Sequence, residues 1–232
     1  MRIYVTSLAV GDLTVRGDEH HYLSHVRRAR TGDAIELADG AGKRARGVIA
    51  KISDADTIVR VDAVEDIVDA PPRVRVLVPL IKGDRMDTCI EKLVEVGVDE
   101  IVVWPAVRAV VKLDGARLVS RVEHYQALAQ AAARQSGRAS IPSVTSAASL
   151  AAALAALPAG VRIVLDPAAD RGAWPSSEDL TIISGPEGGF APEEHDALAT
   201  ASFISLGLGP RVLRAETAPV IAVALVRAAT QS

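Results

Sequence analysis

The stretch SGPEGGF, residues 184–190, sets three glycines and a proline around one carboxylate, Glu187, directly behind the apolar run 180–183. A buried strand that ends in so bare a loop offers its backbone for close approach to a ligand. A second loop, LGLGPRVLRAETA at 206–218, follows the short apolar run 203–206. Between them PEEHDALAT, 192–200, opens with proline and two glutamates, the chemistry of a helix start. Strand, helix and strand in that order predict a parallel α/β sheet.

The pattern extends outward. Apolar runs at 74–81, 100–107 and 161–165 predict further strands. A helix is expected from Asp84, as its cap, to Gly97, with Met86, Ile90, Leu93 and Val94 on one face. Another is expected over 117–137, with Leu118, Val122, Tyr125, Leu128 and Ala132 in one stripe, and a short alanine-rich one over 149–157. Sheets of this kind bind ligands at loops leaving the carboxyl ends of strands, which nominates 166–173, 184–190 and 207–218. The last segment, 216–230, carries only Glu216 and Arg227 as charges. Val220, Ile221, Val223, Ala224 and Leu225 spread around such a helix, so a two-fold partner is expected to cover it, as an obligate homodimer.

The first seventy residues differ. Short apolar runs at 3–5, 34–37, 47–52 and 57–61, broken by turn signals, predict a small β-barrel with one helix over about 18–30. DGAGKRARG, 39–47, reads as a hairpin loop with a basic rim. DAPPR, 69–73, breaks regular structure, giving domains 1–70 and 74–232.

Composition narrows the function. The chain has 232 residues, 49% of them hydrophobic, enough for a substantial core. The single cysteine, Cys89, and the lack of a Cys/His cluster argue against disulfides and zinc, and no metal is expected. His21 and His25 have metal-like spacing without an HExxH pattern. No apolar run reaches membrane-spanning length, and the N-terminal run is too short for a signal peptide, so a cytoplasmic protein is expected. A net charge of -3 does not advertise a nucleic-acid binder, but the basic residues are bunched and bunches can hold phosphates. The glycine loops match neither a phosphate loop nor a dinucleotide fingerprint, which disfavours a nucleotide-dependent oxidoreductase.

Taken together, GPEGGF and LGPRVLRAETA resemble the SPOUT superfamily, and within it the ribosomal RNA uridine-N3 methyltransferases. HHYLSHVRRARTGD (20–33), IKGDRMDTCIEKLVEVGV (81–98) and AAARQSGRASIP (131–142) are similar to further segments of that family, so the resemblance covers most of the chain. It implies an α/β fold: a C-terminal trefoil-knotted SPOUT methyltransferase domain with a parallel sheet, preceded by a small PUA-like β-barrel. It implies S-adenosyl-L-methionine as the only cofactor, a homodimer, and 16S ribosomal RNA or the small ribosomal subunit as partner. The cofactor would be held by Leu165 and Asp166, by Ser184, Gly185, Pro186, Glu187, Gly188 and Gly189, and by Leu206, Gly207, Leu208, Arg211 and Leu213. Uridine N3 carries a proton, so methylation needs that proton removed or the anion stabilised; Arg211, Arg214 and Glu216, on one loop, are the catalytic candidates. Arg28, Arg30, Lys43, Arg44, Arg46, Arg134 and Arg138 are the candidate RNA contacts. The alternative is a non-catalytic RNA-binding protein of ribosome assembly.

Overall fold

The computed structural model describes residues 1–67, 71–111, 113, 115–175 and 179–230, and they fall into two compact units. The first is Met1–Asp69 with Ala133–Ile141; the second is Ala70–Ala132 with Pro142–Ser232.

The first unit is a five-stranded sheet in the order β1-β3-β4-β5-β2, where β1 is Arg2–Tyr4, β2 Gly11–Val15, β3 Ala34–Ala38, β4 Lys43–Ile52 and β5 Thr57–Asp66. Only the β1–β3 pairing is parallel. Inward-facing Ile3, Leu37, Ala45, Ile49 and Val59 form the core with Leu23. The basic segment of 39–47 is strand, not loop. Asp39 Oδ1 accepts from the amides of Ala41 (2.8 Å) and Lys43 (2.9 Å), so the turn closes within four residues and Lys43, Arg44 and Arg46 lie on β4. The expected helix is also shorter. Helix α1, Gly17–His21, passes into a π-helical turn, Tyr22–Val26, and stops. The Ser24 hydroxyl donates to the His20 carbonyl (2.8 Å), a local bond that competes with the regular α-turn there.

The second unit is built on a six-stranded, all-parallel sheet in the order β11-β9-β10-β6-β7-β8. Its strands are β6 Val74–Pro79, β7 Glu100–Trp104, β8 Ser143–Ser146, β9 Val161–Leu165, β10 Leu180–Ile183 and β11 Ile204–Leu206. The helices are α2 Asp84–Glu95, α3 Gly115–Ser136, α4 Leu150–Ala155, α5 Pro192–Thr200 and α6 Ala218–Thr230. On α2, Met86, Ile90, Leu93 and Val94 are buried, and Gly97 ends the helix at φ 99. The cap is Gly83 rather than Asp84, which is the first helical residue and faces the helix dipole instead. The last charged residue of α6, Arg227, donates to the carbonyls of Pro72 and Gly97 and to Asp99 (2.6 Å), fixing the helix end. Val223 is fully buried within its own chain, so it cannot be the dimer contact that periodicity suggested; the exposed large apolar residues of α6 are Ile221 and Leu225. No helix among the described residues is long and apolar enough to cross a membrane.

Candidate active site

Parallel order brings the carboxyl ends of β9, β10 and β11 to one side of the sheet, and the three expected loops converge there. The glycines of SGPEGGF have distinct causes. A side chain on Gly185 would sit 3.1 Å from the ring of Phe190, which itself lies nearly parallel to the buried Trp104 ring at 6.2 Å. Gly189 has φ 71 and donates to the Pro186 carbonyl, closing a tight turn. The loops after β9 and β11 lean on each other just as closely. A Cβ on Gly207 would collide with the Ala169 carbonyl oxygen, and the Gly207 amide donates to the Asp170 carbonyl.

The loops enclose a cavity of about 570 Å³, within the usual range for a small-molecule site. Of the residues expected to hold a cofactor, Leu165, Asp166, Ser184, Gly185, Pro186, Glu187, Gly189 and Leu213 line it. Leu206, Leu208 and Arg211 line a smaller adjoining pocket that shares Leu165, Asp166 and Leu213. Gly188 and Gly207 line neither. Gly188 packs against Arg108, which donates to its carbonyl, and Gly207 serves the loop–loop contact. Ser184 lines the cavity, and its buried hydroxyl has no hydrogen-bond partner among the described residues. Asp166 is partly committed to its own loop, accepting from the Ala168 amide at 2.8 Å.

The charged end of the cavity departs from expectation. Arg214 lines it, but Glu216 does not. The Glu216 side chain is only 12% exposed, with Oε1 3.8 Å from Arg214 and Oε2 3.8 Å from Arg85. Arg85, from the first turn of α2, also pairs with Glu187 at 2.9 Å and lines the cavity. Neither its composition nor its spacing in the sequence sets Arg85 apart; its position arises from the packing of α2. Burial, with Glu216 adding, pushes the Cys89 thiol up to about 12. His195, edge-on to Phe190 at 5.4 Å, is a second lining residue that sequence reading missed.

The candidate RNA contacts are all in the first unit. Arg28 and Arg46 are exposed, and Arg30 is exposed next to the turn its amide makes with Asp33. Lys43 pairs with Asp66 and Arg44 with Glu65 across β4–β5. Arg134 is different. Its guanidinium pairs with Glu19 and lies over the rings of Tyr4 (5.8 Å) and Tyr22 (5.2 Å), with 27% of its side chain exposed. Burial pushes the Glu19 carboxyl above its ordinary value and Arg134 pulls it back; burial likewise raises the Tyr4 phenol, which donates to the Arg138 carbonyl. No cluster of three or more metal-ligating side chains occurs among the described residues.

Known proteins share this arrangement. An RNA methyltransferase domain model matches residues 69–227, and an RNA methyltransferase PUA domain model matches 15–61. The ribosomal RNA small subunit methyltransferase E of Mycobacterium tuberculosis is 35% identical over 221 residues, covering 91% of this chain and 84% of the relative. That of Bacillus subtilis is 28% identical, covering 94% and 90%. Among solved structures, the same enzyme from Neisseria gonorrhoeae bound to S-adenosyl methionine superposes with a TM-score of 0.88 at 28% identity, covering 98% of this chain and 97% of the other. A methyltransferase from Legionella pneumophila in complex with S-adenosyl methionine does so with the same score, identity and coverage.

Proposed function

Because the chain belongs to the RNA methyltransferase family, we propose that it methylates N3 of a uridine in 16S ribosomal RNA, with S-adenosyl-L-methionine as methyl donor. The observation that carries this is the glycine-walled cavity at the carboxyl ends of β9, β10 and β11, in a chain that superposes on two S-adenosyl methionine complexes. The family match favours an enzyme over the non-catalytic RNA-binding alternative.

The residues fit the cofactor. The cavity has the volume, Ser184 offers an unsatisfied hydroxyl, and Gly185 and Gly189 keep side chains out of the way. When bound, the cofactor supplies a methyl group on a positively charged sulfur. The lining carboxylates Asp166 and Glu187 would suit that charge, and Leu165 and Leu213 would give apolar walls. The chain's remaining task is to accommodate negative charge on the uracil ring as the N3 proton leaves. Arg214, exposed on the cavity wall, does this; Arg211 stands in the adjoining pocket.

The first unit serves RNA docking in this reading, through Arg28, Arg30, Arg46 and the β4 pair Lys43 and Arg44, as a PUA module spanning 1–70, and 74–232 is the catalytic module. The trefoil knot would lie in the C-terminal segment that builds the cavity. A homodimer covering Ile221 and Leu225 and a cytoplasmic location complete the proposal.

The test is transfer of labelled methyl from S-adenosyl-L-methionine to free 16S RNA and to assembled small subunits, followed by mass-spectrometric mapping. A single N3-methyluridine is expected. Label at another atom, or none on either substrate, overturns the proposal. Ile221→Glu is expected to yield monomers by sedimentation; an active wild-type monomer at low micromolar concentration removes the dimer from it.

A further inference from the structure

We infer that Arg85 is a second catalytic arginine, which with Arg214 forms a two-cation clamp for the uracil anion, and that Glu216 sits behind the clamp to set its spacing. This rests on the uridine-N3 reading above.

Arg85 and Arg214 both line the cavity, and Glu216, which approaches both, does not. Glu216 gives one oxygen to each arginine, at 3.8 Å in both cases. These distances are too long for hydrogen bonds, so the carboxylate attracts both cations without using up their donors. Oε2 is buried and unpartnered, a cost that two flanking positive charges offset. Arg85 is further tied by Glu187 at 2.9 Å, which leaves its side chain 39% exposed but fixed in direction. Two cations that share Glu216 and both line a cavity, one of them steadied by Glu187, can receive a further anion there.

Uracil matches that device. N3 lies between the carbonyls at C2 and C4, and loss of its proton spreads the negative charge over both oxygens. One guanidinium for each oxygen stabilises the anion symmetrically and leaves N3 unobstructed. The balance is simple. The N3 proton passes to water, and the N3 lone pair forms the new bond to the methyl carbon. The bond from that carbon to the positive sulfur breaks, its electron pair stays on sulfur, and a neutral thioether leaves. No protein carboxylate has to take the proton, in keeping with Glu216 lying off the cavity.

The experiment compares wild type, Arg85→Gln and Arg85→Lys on a uridine RNA and on the same RNA with 5-fluorouridine at the target, whose N3 proton is more acidic. Arg85→Gln is expected to lower kcat on uridine RNA about a hundredfold. On the fluorinated RNA the loss should shrink about tenfold, because the better anion needs less stabilisation. Arg85→Lys should fall between, and cofactor affinity by calorimetry should change little. Equal losses on both RNAs, an unchanged kcat, or a loss explained by weaker cofactor binding each overturn the inference. A second readout needs neither variant nor turnover. Bound to the cofactor-free wild type, 5-fluorouridine RNA should ionise about one pH unit lower than free RNA by ultraviolet absorbance. No shift overturns the clamp even if Arg85→Gln fails to fold. Wild type that forms no N3-methyluridine on either RNA instead defeats the functional reading itself.

Discussion

Arg134 and Arg85 make an instructive pair. Each is held by glutamate, each lies in a segment that resembles a family motif, and each starts from a helix. Arg134 is enclosed by Glu19 and two tyrosine rings, whereas Arg85, paired with Glu187 and 3.8 Å from Glu216, still opens onto a cavity. One ion pair is closed and holds the structure together; the other is left open on one side and can act on a ligand. The difference lies not in the partners but in what remains on the far side of the guanidinium.

Variants can break or sharpen that contrast. Arg134→Ala should have the largest effect, and on stability alone. Removing one partner of a mostly buried pair costs about 3 kcal/mol, somewhat less for the part still solvated. Urea unfolding should show this while the folded variant binds cofactor normally; a loss of cofactor affinity would erase the distinction. Glu216→Gln should do the reverse, lowering kcat about a hundredfold, worth about 2.7 kcal/mol, with an unchanged unfolding midpoint. A Glu216→Gln protein with a normal rate would put Glu216 in the structural class with Glu19. Gly207→Ala should be milder. Its methyl must push the Ala169 carbonyl away, at about 1–2 kcal/mol, so calorimetry should find cofactor binding weakened about tenfold. Arg44→Gln should matter least, because a surface pair with Glu65 contributes at most about 1 kcal/mol. Its signature should be an RNA salt dependence reduced by about one unit.

The sequence made some of this legible and hid the rest for physical reasons. Strands β9 and β10 and helix α5 were found to the residue, because continuous apolar runs and a proline–glutamate start are local signals. β8 was missed: SVTS is a polar edge strand with only Val144 buried. The basic start of β4 reads as loop in the sequence, although its burial alternates with period two, because glycines and charges outweigh the pattern. The three cavity loops were legible from their glycines. Arg85 was not, since one arginine in the first turn of an amphipathic helix looks like any solvated charge. The burial of Val223 and the outward face of Ile221 likewise depend on what α6 packs against, which its nearly uniform apolar surface does not encode.

The order of strands in the second sheet also governs when the protein becomes competent. Val74 on β6 is registered with Leu180 on β10, so the middle of the sheet joins segments about a hundred residues apart. During synthesis the first unit's strands and the β6–β7–β8 part of the second sheet can pair early, while the other edge of β6 waits for β10 to emerge. Closing such a long loop is entropically costly and slow, and it is repaid only when β9, β10 and β11 arrive together. The cavity is therefore among the last features to form. Cofactor that binds only the finished cavity adds its binding energy to that late step and pulls the chain through it. Refolding of the second unit should accordingly be the slower of the two.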